Sequence, residues 1–183
     1  MNRFVADSSA LILLLKCRLL EIVCTLFEVV VPSSVVNETA SEDLARDYPD
    51  AALIRDVISR GVIKIEDPDT AEFKLPISLH RGEEDALLLA LKSRGSVLAT
   101  DDGKAIKAAR FLKIPFTIAP RIVVDLFRLE KISLEKARQS IEKLGKVGRY
   151  SPAIIAESIL SLMEAEHGKT HNDKDTRRPI KGD

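Results

Sequence analysis

The chain has no tryptophan, two cysteines and an aromatic content of 4% over 183 residues. So few rings argue against modules that hold nucleic acid on aromatic stacking platforms. Charge of a single sign is missing too, since 28 basic and 28 acidic residues cancel. That excludes a basic domain coating nucleic acid by bulk electrostatics and leaves local patches or a bound metal to do the gripping. Cys17 and Cys24 lie seven residues apart in an apolar helical stretch. At ~1.5 Å per residue they share a face but stand about 10 Å apart, too far for a disulfide. They read as reduced core residues of a cytoplasmic protein. Long apolar runs are lacking, and Ala10–Leu15 is too short to span a bilayer. The N-terminus carries Asp7 and has no charged region followed by a cleavage site, so no signal peptide is expected. The 45% hydrophobic content suffices for an ordinary core.

Strands alternate with helices over the first two thirds of the chain. Short apolar segments at Arg3–Ala6, Glu28–Val31, Val62–Glu66, Ser96–Ala99 and Pro115–Ile118 read as strands. The helices expected between them follow Ser8 and Ser9 (good N-caps) to Lys16, then Arg18–Phe27 after a bend, Pro32 to Ser41, Pro49 to Gly61, Gly82–Arg94 and Gly103–Leu112. Asp67–Leu79, with Pro68 and Pro76, reads as a loop. This alternation implies a parallel sheet with right-handed crossovers. From Pro120 the pattern is helical only, with helices expected at Arg121–Glu130, Ser133–Leu144 and Ser151–Glu166. The expectation is one α/β domain over residues 1–165: a three-layer α/β/α fold, four to five parallel strands and a helical C-terminal extension. Residues 166–183 read as a disordered tail.

Acids punctuate the strand-to-helix junctions. Asp7 follows the first strand, Glu38 lies in the helix after the second, Glu83-Glu84-Asp85 opens a later helix, and Asp101-Asp102 follows the fourth strand. In an open parallel sheet the carboxyl ends of the strands face one crevice, so these side chains are expected to meet. Like charges gathered there are costly unless a cation cancels them, and a hard divalent ion would do so. That combination points to phosphodiester chemistry. Each acid has a plainer reading. Asp7 suits an N-cap, although Ser8 and Ser9 already offer caps. Glu38 suits an exposed helix face, and the trio suits the helix dipole. One of Asp101 and Asp102 suits a turn. Pattern alone does not choose between Glu83 and Asp85, because both border apolar faces. Thr100 is placed to hydrogen-bond a carboxylate or a water.

Taken together, Val5-Ala6-Asp7-Ser8-Ser9-Ala10-Leu11-Ile12, Val35-Val36-Asn37-Glu38, His80-Arg81-Gly82-Glu83-Glu84-Asp85-Ala86-Leu87-Leu88-Leu89-Ala90 and Leu98-Ala99-Thr100-Asp101-Asp102 resemble the PIN-domain family of metal-dependent ribonucleases, including the VapC-type toxins. The resemblance covers roughly Asn2 to Ile118 and extends toward the next helices. It implies Asp7, Glu38, Asp85 and Asp102 as catalytic and metal-binding acids, with Glu83 and Thr100 in support and Asp101 the alternative fourth acid. It also implies one or two Mg2+ or Mn2+ ions and RNA hydrolysis leaving a 5′-phosphate and a 3′-hydroxyl. The implied partners are single-stranded RNA, an antitoxin protein and a second copy of the chain. Arg81, Lys104 and Lys107 are candidate contacts to RNA phosphates, with Arg110 in the same spacing; the plainer reading of Lys104 and Lys107 is a solvated helix face. The apolar helices Leu11–Leu26 and Ile154–Met163 are candidate dimer surfaces, or simply core.

Two other classes compete. One is a catalytically weak PIN-like module that binds RNA or protein. The other is an aspartyl-phosphate phosphotransfer enzyme, which usually has a second acid two residues after the nucleophile, where this chain has Ser9. His80 reads as a loop residue near the crevice. His167 and His171 have helical spacing but fall in the expected tail.

Overall fold

The computed structural model describes residues 3–69 and 78–175, with side chains as far as residue 168. The β-branched and apolar tetrads form the sheet. β1 (Arg3–Ala6), β2 (Glu28–Val31), β3 (Ile63–Ile65), β4 (Ser96–Ala99) and β5 (Phe116–Thr117) pair in the order β3-β2-β1-β4-β5, all parallel. Ten helices are described: α1 (Ser8–Lys16), α2 (Leu20–Leu26), α3 (Ser33–Ala40), α4 (Glu42–Asp47), α5 (Pro49–Ser59), α6 (Arg81–Lys92), α7 (Gly103–Phe111), α8 (Ala119–Arg128), α9 (Leu134–Val147) and α10 (Pro152–Asp175). The α/β class and the parallel sheet flanked by helices are as the alternation implied.

The chain divides into two compact units, Met1–Ala119 and Pro120–Asp183. The first holds the sheet. Val5, Val30 and Leu98 from three strands pack with Ala86, Leu87, Ala90, Ala108 and Ala109 from α6 and α7. On α6, Asp85 through Ala90 are all buried, so this helix is enclosed on every side rather than amphipathic. That enclosure carries Asp85 into the interior, a choice the local pattern left open. In the second unit α9 packs on α10, and Ile155 lies 3.6 Å from where a side chain on Gly145 would begin.

Several local readings need correction. Ser8 and Ser9 do not cap α1; Asp7 does, accepting from the Ala10 amide at 2.9 Å. The stretch after Ser41 is not a plain connection. The Ser41 hydroxyl caps a further short helix, α4, with two acids in its first turn. The bend between α1 and α2 is a left-handed Arg18 at φ 56°. α10 does not stop at Glu166 but runs to Asp175. Once its apolar first turns are formed, adding polar residues needs only propagation, which costs far less than a new nucleus. Residues 70–77 of the expected loop and 176–183 of the expected tail lie outside the described residues. One face of Leu11–Leu26 is core, with Leu11, Leu14, Leu19, Leu20 and Val23 buried, whereas Leu160 and Met163 on α10 are exposed. Both cysteines are buried and neither is in a disulfide, and burial pushes the Cys24 thiol up to about 11. Among the described residues no helix is long and apolar enough to cross a membrane.

Candidate active site

The strand order reverses direction at β1. β2 and β3 lie on one side of it, β4 and β5 on the other, so the switch point falls between β1 and β4. Open parallel sheets offer their ligand crevice there, beyond the carboxyl ends. Ala6 pairs with Ala99, which makes Asp7 and Thr100 the next residues out of the two strands. Both are fully buried. The Thr100 hydroxyl donates to Asp7 Oδ2. Asp7 Oδ1 accepts from the Ser9 hydroxyl at 2.7 Å as well as from the Ala10 amide. Burial raises the Asp7 carboxyl above its ordinary range, opposed by these three hydrogen bonds and reinforced by repulsion from Asp102.

Glu38 reaches the same neighbourhood from α3. The residue is exposed, yet its carboxylate is tied at both oxygens: the Ser8 hydroxyl donates to Oε2, and the Gly82 amide donates to Oε1 at 2.8 Å. α3 is itself moored by Asp67, whose two oxygens accept from the Ser33 amide at 2.8 Å and the Ser33 hydroxyl at 2.7 Å. These bonds hold the Asp67 carboxyl below its usual range. A side chain on Gly82 would begin 2.4 Å from Glu38 Oε2, so the absence of one there makes room for the carboxylate.

α6 supplies the remaining acids. Glu83 Oε2 accepts from the His80 amide at 3.1 Å, closing the first turn. Desolvation raises its carboxyl, helped by repulsion from Asp102 and Asp7, which places Glu83 within their field. Asp85 is 4% exposed. Its Oδ2 accepts from Arg81 Nε at 2.8 Å, while its buried Oδ1 accepts from no protein donor. Asp102 caps α7, accepting from the Lys104 and Ala105 amides at 2.7 and 2.9 Å. Asp101 turns elsewhere: its amide donates to the Ser9 hydroxyl at 2.8 Å, and its Oδ1 accepts from the Ala119 amide at 2.9 Å. Hydrogen bonds and electrostatic repulsion therefore join Asp7, Glu83, Thr100, Asp101 and Asp102, while Glu38 is bonded to Ser8 and Gly82, the chain neighbours of Asp7 and Glu83. Asp85 stands one turn along α6 with Arg81 as its partner. Lys104 and Lys107 are exposed on α7, and Arg110 lies over the Phe116 ring at 5.5 Å. His80 is the N-cap residue of α6 rather than a free loop residue.

A family model of the PIN domain matches residues 3–165. The chain belongs to the PIN-domain family. A comparison with curated proteins finds no match. PIN domains are typically nucleases and generally use divalent metal ions, so this PIN domain is a hydrolase of the nuclease type. Its acids fit such an ion in chemistry, because the donors are carboxylate oxygens, the hard ligands divalent cations take. The unpartnered Asp85 Oδ1 fits it too, since a buried carboxylate oxygen without a donor is rare. As placed, no three His, Cys, Asp or Glu side chains among the described residues stand close enough to hold an ion together. The Arg81 guanidinium meanwhile serves as the cation for Asp85.

Sequence reasoning passed over Ser8, Ser9, Asp67 and Gly82 as site residues. A doubled serine after Asp7 and a glycine in a helix's first turn were the available signals. Removing Arg81 tests the Asp85 arrangement. Arg81→Ala leaves a buried carboxylate without its cation, and the metal-free protein is expected to lose about 1–3 kcal/mol. The same variant is expected to gain more thermal stability from Mn2+ than the wild type does, because the ion no longer competes with the guanidinium. An unchanged Mn2+ response in a thermal titration would show that Asp85 is not where the ion binds.

Proposed function

We propose that the protein is a metal-dependent endoribonuclease that hydrolyses RNA phosphodiester bonds, acting in the cytoplasm as the toxin of a toxin–antitoxin pair. The observation that carries this reading is Asp7: a fully buried acid at the sheet's switch point, held by Thr100 and linked through the adjoining serines to Glu38 and Asp101. No structural need accounts for so desolvated a carboxylate, since a cap on the surface would do as well for α1.

In this proposal Asp7, Glu38, Asp85 and Asp102 hold Mg2+ or Mn2+. The ion, when bound, lowers the pKa of a water and neutralises charge growing on the phosphate. Thr100 and Ser9 fix the rotamer of Asp7, and Ser8 with the Gly82 amide fixes that of Glu38. Such pre-positioning removes reorganisation from the chemical step. Asp102 is favoured over Asp101 as the fourth acid, because its charge repels both Asp7 and Glu83. Glu83 and Asp101 are supporting residues. Arg81, released from Asp85, would pair with a substrate phosphate, as would Lys104 and Lys107. Water adds to phosphorus and the P–O3′ bond breaks, leaving a 5′-phosphate and a 3′-hydroxyl. An antitoxin peptide with a cationic side chain would suit the acidic crevice, and a second copy of the chain would suit the exposed apolar side chains of α10.

A second reading is a module that grips RNA without cutting it. The Arg81–Asp85 pair favours it, because that pair leaves Asp85 engaged without any ion. One experiment separates the two. End-labelled single-stranded RNA should be cut by the wild type in Mg2+ or Mn2+ and left whole in EDTA. Cleavage that survives EDTA would discard the metal-dependent mechanism, and binding without cleavage in either metal would favour the second reading.

A further inference from the structure

The helix that starts at Asp102 presents an unusual outer face. Ala105, Ala108 and Ala109 are buried and turn α7's small side inward. Opposite them, Lys104, Lys107 and Phe111 fall at helical spacings of three and four residues, on one exposed stripe. Phe111 is 70% exposed, more than any other large apolar residue described. An exposed ring of this size with no packing role is uncommon in a chain so poor in aromatics. The two lysines enter no ion pair among the described residues. Arg110, one residue away, is already engaged with Phe116. The stripe begins at the site: Lys104 lies two residues after Asp102 and donates its amide to that carboxylate. At ~1.5 Å per residue, Phe111 stands about 10 Å further along the helix than Lys104.

We propose that this stripe is a binding track for single-stranded nucleic acid leaving the acidic crevice, with Lys104 and Lys107 pairing backbone phosphates and Phe111 stacking one base. The proposal rests on the nuclease reading for the strand's origin in the crevice, but the contacts follow from the stripe. A neutral chain must grip a polyanion locally, and two lysines without an acidic partner among the described residues supply that charge. Bare phosphate or a polyanion without bases would use the lysines alone. A ring at the end of the lysines adds a contact that only a nucleobase exploits. One ring is no platform, so the track would be tolerant of sequence rather than selective.

The test is binding in EDTA, where no cutting occurs, read by fluorescence anisotropy of labelled octauridylate on the whole chain. Phe111→Ala is expected to weaken binding about tenfold. The double variant Lys104→Glu, Lys107→Glu is expected to lower the slope of log affinity against log salt by about 1.4, two phosphate contacts at ~0.7 each. An abasic version of the same strand should abolish the Phe111 effect and keep the lysine effect. All three side chains are on the surface, so thermal melting should find all variants folded. Wild-type affinity in Phe111→Ala would overturn the track. So would unchanged affinity coupled with a shift from dimer to monomer, which would make this face a contact between copies. The nuclease reading fails separately: a wild type that binds in a Phe111-dependent way yet cuts no RNA in Mg2+ or Mn2+ sinks the enzyme and leaves the track standing.

Discussion

Asp7→Asn is expected to abolish cleavage while making the metal-free protein more stable. The two effects share one cause. The Asp7 carboxylate has no exposure, and its desolvation is what raises its pKa most strongly, ahead of the hydrogen bonds from Thr100, Ala10 and Ser9 that oppose it. A carboxyl whose pKa is raised on folding binds its proton more tightly in the folded chain than in the unfolded one. Stability therefore falls as pH rises from the unfolded pKa through the folded one, and at neutral pH the charge is a net cost. Asparagine keeps the shape and removes the charge. Its carbonyl can still accept from Ala10 and Ser9, while its amide faces the Thr100 hydroxyl, which must turn to accept. That rearrangement gives up one hydrogen bond, a smaller loss than a desolvated charge. Each 1 kcal/mol recovered would raise Tm by about 2–4 °C in a chain of this size. The gain over wild type should be largest near neutral pH, shrink as pH falls through the folded pKa, and vanish only below pH ~3, where Asp7 is protonated in both states. Cleavage should drop at least about 100-fold, and the Mn2+ contribution to Tm should shrink. A variant that melts below the wild type at every pH would show that Asp7 is a structural cap and not a strained functional acid.

The sheet was legible because strands in a parallel core are short, β-branched and bounded by turn residues. The five strand readings, Arg3–Ala6, Glu28–Val31, Val62–Glu66, Ser96–Ala99 and Pro115–Ile118, fell within a residue of the observed ends. The placement of acids at the sheet's carboxyl edge was legible for a topological reason, since βα junctions share that edge whatever lies between them; how near their side chains come to one another was not, and no three among the described residues stand close enough to hold an ion. Partner choice was not. Ser8 looks like a cap to any local rule, yet its hydroxyl serves Glu38, thirty residues on. Ser9 looks the same and bridges Asp7 to the Asp101 amide, 92 residues away. Asp67 caps a helix that begins 34 residues before it. Such bonds are set by which junctions become neighbours, and no window of ten residues contains both ends. Asp85 was ambiguous for a related reason. Periodicity assumes a helix with a wet side, and α6 has none over Asp85–Ala90. Asp101 and Asp102 could not be told apart from sequence, because their surroundings differ through tertiary contact: the turn out of β5 brings the Ala119 amide to Asp101, while Asp102 accepts from the Lys104 and Ala105 amides of its own helix.

Gly82→Ala is expected to separate activity from folding more cleanly than any acidic substitution. The new methyl would start 2.4 Å from Glu38 Oε2 and 2.9 Å from its Cδ. Those atoms are the far end of a flexible side chain, so the backbone need not move; the carboxylate retreats instead. Retreat breaks the bond from the Gly82 amide to Oε1 and pulls Oε2 from the Ser8 hydroxyl. Alanine in a helix is worth up to about 1 kcal/mol over glycine, which offsets the lost hydrogen bond of similar size. Tm should therefore stay within a few degrees of wild type. Cleavage should fall by a factor on the order of 100, since a ligand or its support displaced by an ångström costs that much. Gly103 provides the control. It also sits in the first turn of a helix beside an acid, but a methyl there meets nothing within 4 Å. Gly103→Ala should cut RNA as the wild type does. Equal activity in both variants would mean that the position of the Glu38 carboxylate does not matter to the reaction, and Glu38 would then leave the proposed set of metal-binding acids.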